Sequence, residues 1–215
     1  MKISILCSFP EHPIYPYLLN WVKENSKKHD VSLVNSSSEL DNGDFLFLIS
    51  CTEIIKMNTR KKFKHTLVIH ESDLPKGRGW SPLIWELLNG ANVITISLLE
   101  AVDKVDAGDI WKKITINVDD YETINSINKK LFPAKISLIN FAIHNYNLIK
   151  PIKQNHNDAT YYSRRTSKDN ELDVNKTISE QFDLLRTADN NRYPSFFYFR
   201  NHKYKITLEN FDESE

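Results

Sequence analysis

Short apolar runs, each closed by a turn and followed by a helix-like stretch, constrain this 215-residue chain more than any other feature. Lys2 to Cys7, Val31 to Val34, Phe45 to Ser50 and Thr66 to His70 read as strands, and the unbroken run at Phe45 has the look of a strand buried on both faces. Between and after them, Tyr17 to Asn25, Glu53 to Phe63 and Ser81 to Asn89 carry helical signals. In the last of these Ser81 suits an N-cap, Pro82 the first helical position and Gly90 the C-terminal cap. Val93 to Leu99 and Ile110 to Val118 add two strands, and Tyr121 to Ile149 adds a long helix that Pro133 should kink or split. Strands alternating with helices predict an α/β fold, a parallel or mixed sheet with helices on both faces. In such sheets chemistry gathers at the carboxyl ends of the strands. Cys7, Cys51 and His70 all fall there.

After Pro151 the texture changes. The segment 158–173 is polar, and Phe196 to Leu208 alternates aromatics as a strand pair would. Residues 1–150 are therefore read as the principal domain and 151–215 as a small α+β appendage, which touches substrate or a second protomer. The aromatic run Phe196 to Phe199 suits either a homodimer face or the packing of the appendage.

Charge narrows the partners. Lys plus Arg and Asp plus Glu are both 28, so the chain lacks the basic excess expected of a protein that neutralises nucleic-acid phosphates. Two cysteines are too few for a disulfide scaffold, and both read as small buried residues rather than nucleophiles. The apolar start is too short for a signal peptide, and no stretch has the length of a membrane span. The expectation is a cytoplasmic protein with no nucleic-acid or membrane partner and no metal.

The chemistry-bearing segment is His70-Glu71-Ser72-Asp73-Leu74-Pro75-Lys76-Gly77-Arg78-Gly79, followed by Trp80-Ser81-Pro82 and later by Asp106-Ala107-Gly108-Asp109. Alone, His70 would be a satisfied strand-end histidine and Asp106 a turn residue. Together they offer more. An imidazole with an ordinary pKa near ~6.5 changes charge around neutrality, and a carboxylate can orient it or take a proton from it. Lys76 and Arg78, in a glycine-punctuated loop ahead of a helix, suit an anionic group, and Trp80 suits a base or sugar ring. Ser8 and Phe9, in the loop after the first strand, are placed for ligand contact.

This ordered pattern resembles the formyltransferases that use 10-formyltetrahydrofolate. In that family a His-x-Ser-x-Leu-Pro segment follows a buried strand, then Arg-Gly, a Pro opening a helix, and an Asp-x-Gly-Asp loop. Ala159 to Arg165, Glu171 to Asp173, Leu184 to Ala188 and Arg192 to Pro194 resemble the family's later segments, so the likeness runs from about Ile49 to Leu208. The wording Lys76 to Pro82 and the stretch Tyr193 to Phe197 are most similar to sugar-nucleotide N-formyltransferases acting on amino-sugar precursors of nonulosonic acids such as pseudaminic acid. The resemblance implies a Rossmann-like sheet and transfer of a formyl group to an amine, with a UDP-linked 4-amino-4,6-dideoxy sugar among the acceptors it allows. It places His70 and Asp106 in catalysis. The folate would lie against Cys51, Thr52, Ile54, Val105 and Asp106, and the sugar nucleotide against Ser8, Phe9, Ser72, Lys76, Arg78, Gly79, Trp80 and Tyr193.

One position departs from the family. An Asn that supplies an amide N–H to the developing oxyanion stands two residues before the histidine; here that residue is Val68. Losing such a donor costs on the order of 100-fold in rate. A backbone N–H, the Ser72 hydroxyl, Thr52 and Glu71 are the candidates to replace it. Two other readings follow: a binder of folate or sugar nucleotide without catalysis, and an enzyme formylating methionyl-tRNA.

Overall fold

The computed structural model describes residues 1–211. In chain order the regular elements are β1 (Lys2–Leu6), α1 (Tyr15–Asn25), β2 (Asp30–Val34), β3 (Gly43–Leu48), α2 (Met57–Arg60), β4 (Phe63–His70), β5 (Arg78–Gly79), α3 (Pro82–Leu88), β6 (Val93–Glu100), β7 (Ile110–Asn117), α4 (Ile124–Asn145), β8 (Tyr161–Tyr162), α5 (Phe182–Arg186), β9 (Ser195–Phe199) and β10 (His202–Ile206). Six strands form one sheet in the order β2-β1-β3-β4-β6-β7. The first four are parallel, while β6 runs against β4 and β7 against β6. The fold is thus a Rossmann-like α/β sheet of the mixed kind.

The two faces of the sheet are covered differently. Ile3, Ile5, Phe45, Phe47, Leu67 and Ile69 pack against α1, α3 and α4 in the larger core. The alternate residues Leu6, Leu46 and Leu48 pack under Leu40, Ile55 and Phe63. On that side the helical cover beside β4 is the single turn of α2. The split follows from the period of two along a strand. It also places His70 on the face of Val68, and Glu71 on the face of Ile69 and α4.

Three local expectations are corrected. Pro133 does not split the long helix: α4 is continuous over 22 residues. Pro133 and Lys129, four residues earlier, are both exposed, so the break in bonding falls on the solvent side of the helix. Ser81 holds the N-cap position, but its side chain does not cap the helix. It takes a left-handed φ of 49° and makes no side-chain cap bond, because the chain has just left its pairing with Tyr162 through the Trp80 N–H. The helix expected from Glu53 to Phe63 shrinks to α2. The Glu53 carboxylate instead binds the N–H and hydroxyl of Ser37, and the Thr52 N–H donates to Ser8 Oγ.

Beyond residue 150 the chain forms 3₁₀ turns, α5 and the β9–β10 hairpin. Arg186, 3% exposed, docks this part by donating to the Glu122 carbonyl ahead of α4 and by pairing with Asp183. In the hairpin Phe196 is buried, while Tyr198 and Phe199 are about half exposed. No helix among the described residues is long and apolar enough to cross a membrane.

Candidate active site

The carboxyl ends of β1, β3 and β4 lie side by side, and the polar groups of the site collect there. His70 closes β4 and is buried. Its Nε2 lies 2.8 Å from the Gly77 carbonyl. A carbonyl can only accept, so Nε2 carries hydrogen. Its Nδ1 lies 3.6 Å from Asp106 Oδ1, and both side chains are 7% exposed. With Nε2–H committed to Gly77, a proton on either Nδ1 or Asp106 makes this contact attractive; without one, a lone pair would face a carboxylate. The imidazole Nδ1 thus faces a carboxylate oxygen in a place almost closed to solvent.

Asp106 is fixed from two more sides. Its Oδ2 accepts from the Gly79 N–H at 2.9 Å, and its own carbonyl accepts from Gln154 Nε2 at 3.0 Å. Its φ of 54° lies in the left-handed region, which Asp tolerates better than most residues. Two glycines let the loops close. A Cβ on Gly79 would meet the Tyr162 carbonyl at 2.5 Å, and one on Gly108 would overlap the Glu100 carbonyl outright.

Arg78 corrects an expectation. It does not reach toward an anion. It is 0% exposed and donates to Gln154 Oε1 at 2.5 Å and to the Tyr161 hydroxyl at 3.1 Å, with His156 Nδ1 at 2.9 Å. Its guanidinium is a strut that ties the loop to the segment 154–161, and β5 pairs with β8 beside it. Lys76 is exposed. Trp80 is 40% exposed with the Arg164 guanidinium over its ring at 4.8 Å. Ser72 is buried, and its Oγ has no hydrogen-bond partner among the described residues.

The residues expected to hold the folate lie on two loops, 49–56 and 101–109. Arg60 joins them, donating to the Ile55 carbonyl at 2.6 Å and pairing with Asp103 at 2.5 Å. Ile54 and Val105 are exposed apolar side chains, Thr52 is exposed and Cys51 half-buried. Ser8 supports the first loop through Thr52, while Phe9 and Tyr193 stand exposed.

Sequence reasoning missed four groups. Gln154 links Arg78 to the Asp106 loop, donating also to the Gly108 carbonyl at 2.7 Å. Lys135, 2% exposed in the middle of α4, forms an ion pair with Glu71. His12 and Ser50 complete the cluster. His12 Nδ1 accepts from the Ile14 N–H at 3.1 Å, so its Nε2–H donates to Ser50 Oγ at 3.1 Å. Burial, with the Lys135 and Arg192 cations nearby, pushes the His12 pKa down to about 3. A signal for Lys135 existed: it sits in phase with Leu131, Leu138 and Ile139 on the apolar stripe of its helix.

The His12 shift has a consequence for stability. The folded pKa lies below the ordinary value near 6.5, so the unfolded chain takes up a proton that the folded chain refuses. The contribution is fully present above pH 6.5 and is lost as pH falls toward 3, at about 1.4 kcal/mol per pH unit at most. His12→Gln is expected to flatten the fall in stability between pH 6 and 4. Chemical denaturation at stepped pH checks this, and an unchanged slope would contradict it.

Known proteins share both sequence and fold with this chain. The chain is 26% identical over 197 residues to the bifunctional polymyxin resistance protein ArnA of Wigglesworthia glossinidia brevipalpis, covering 86% of this chain and 30% of that protein. The chain spans less than half the length of the first curated relatives it matches. Among solved structures, a methionyl-tRNA formyltransferase from Clostridium thermocellum shares the fold with a TM-score of 0.81 at 21% identity, over 100% of this chain and 96% of that one. A sugar N-formyltransferase from a Shewanella species does so with a TM-score of 0.72 at 15% identity, over 97% of each chain. The family model described as "Formyl transferase" matches residues 11–141, more than half of the sequence and both members of the His70–Asp106 pair, and the chain accordingly belongs to the formyl transferase family.

Proposed function

We propose that this chain moves a formyl group from 10-formyltetrahydrofolate to the amine of a nucleotide-linked amino sugar, in the narrowest form a UDP-linked 4-amino-4,6-dideoxy sugar. The observation that carries the reading is the buried His70–Asp106 contact, with the imidazole tautomer set by Gly77. The amine nitrogen attacks the formyl carbon and forms a C–N bond, while the carbonyl π pair moves to oxygen. Collapse of that oxyanion breaks the bond to the folate nitrogen, which leaves with the electron pair. The proton shed by the amine replaces the formyl group on that nitrogen, and His70 with Asp106 can hold it in between.

The two loops suit the donor. Ile54 and Val105 offer apolar faces to a flat ring, and Arg60 fixes the loops to each other. With Val68 in place of an amide, Ser72 is the replacement with most in its favour: its hydroxyl is buried without a partner among the described residues, two residues beyond His70.

The equal numbers of acidic and basic residues favour the sugar nucleotide, and the likeness to a sugar N-formyltransferase supports it. A second reading, formylation of methionyl-tRNA, has its own support in the Clostridium thermocellum likeness. Tetrahydrofolate release should be measured with dTDP- and UDP-linked amino sugars and with methionyl-tRNA as separate acceptors. Release that depends on an amino-sugar nucleotide is the expected result. Release with methionyl-tRNA alone would replace the first reading by the second, and ligand binding without any release would refute transfer.

A further inference from the structure

The buried Lys135–Glu71 pair takes no part in the proton path through His70 and Asp106. Its placement is specific nonetheless. Glu71 directly follows His70, so the two side chains leave the end of β4 on opposite faces of the sheet. His70 turns to Asp106 and the folate loops. Glu71 turns to α4 and to the loop after β1.

Lys135 is 2% exposed and the Glu71 side chain 19%. The pair is therefore sealed on the cation side and open on the carboxylate side. Lys135 does not stand in for the amide missing at Val68, because it lies on the other face and is engaged by Glu71. Its effect is to keep a negative charge beside the reacting centre. Burial alone would push the Glu71 carboxyl up, but the cation of Lys135, with its hydrogen bond, holds it below the ordinary range. The surroundings are complete: Lys135 faces Glu71 from α4, His70 from the same strand, and His12 from the loop after β1, while Arg192 and Asp189 reach the His12 ring from the C-terminal part. Arg192 and Asp189 are themselves paired at 2.7 Å, while Glu71 is the carboxylate next to His70 in the chain.

Formyl transfer to an amine passes through an intermediate with negative charge on oxygen and positive charge on the attacking nitrogen. A fixed carboxylate helps only the second of these, and helps it most after attack has begun. We propose that Glu71, held by Lys135, is the group that meets the acceptor's amine nitrogen and stabilises its developing positive charge. The nitrogen still forms its bond to the formyl carbon and still passes its proton to the His70–Asp106 pair. Glu71 supplies position and charge and keeps no proton. The inference rests on the transfer reading above and extends it to the acceptor side.

The test uses the full chain and a wild type first assayed with dTDP- and UDP-linked amino sugars, methionyl-tRNA and methylamine. With the amine that supports tetrahydrofolate release, Glu71→Gln should lower kcat/KM for that amine by about 30-fold or more, while the KM for the folate donor stays within about twofold. Glu71→Asp should recover part of the loss. The Glu71→Met/Lys135→Met variant, which leaves no charge unpaired, should fold and show the same loss. For a sugar acceptor, binding of the nucleotide sugar with hydroxyl in place of amine should be equal in wild type and Glu71→Gln. Equal loss of donor and acceptor parameters would mark a structural role and overturn the proposal. An unchanged kcat/KM for the amine would overturn it while leaving the transfer reading intact. No release by the wild type with any of these amines would overturn both.

Discussion

Alanine at position 70 is expected to lower formyl transfer by about 10²- to 10⁴-fold, the range typical of a positioned proton-transfer group. The imidazole bridges the Gly77 carbonyl and the Asp106 carboxylate. Without it Asp106 keeps its bond to the Gly79 N–H but has no ring to orient. The fold should survive. One hydrogen bond is lost and one buried carbonyl is left free, at about 1–3 kcal/mol, against the roughly 5–15 kcal/mol of a typical domain. Tetrahydrofolate release and a denaturation curve on the same preparation separate the two effects. A rate within tenfold of wild type would show that His70 is not in the proton path.

The largest effect on stability is expected at Lys135. Lys135→Met removes one partner of a buried pair and leaves the Glu71 carboxylate in a poorly solvated place, at about 3–5 kcal/mol. With the cation gone, burial drives the Glu71 pKa upward, so the deficit should shrink as pH falls and the carboxyl becomes neutral. Replacing both partners, as in Glu71→Met/Lys135→Met, should restore most of the stability. Urea denaturation at pH 7 and at pH 5 provides the readout. A single variant as stable as wild type, or a double variant less stable than the single, would show that the pair is not a coupled buried unit.

These two sites show where sequence is informative. His70 and Asp106 are legible because their signals are local: a strand that ends on histidine, a Pro-Gly loop, and a short acidic turn further on. Six strands could be placed because buried runs and turn residues mark them. The Lys135 cluster was not legible, because β1, β3, β4 and α4 assemble it only when the sheet closes. The charge in the apolar stripe of α4 hinted at a buried partner but could not name Glu71. Arg78 misled for the opposite reason. A basic residue between two glycines looks like an open anion site, and nothing local announces that Gln154, His156 and Tyr161 will close over it. Ser81 misled because cap chemistry was read without the strand pairing that precedes it.

The strut at Arg78 changes how the chain divides. A boundary near residue 150 follows the change in composition, yet Gln154, Thr160 and the β8 pair reach back to Arg78, Gly77 and the Asp106 loop. The stretch from 154 to 162 is therefore the wall against which the His70–Asp106 pair is set, not an attachment to a finished domain. Loss of the Gln154 amide would free the Asp106 and Gly108 carbonyls together and so loosen Asp106 from the far side of the molecule.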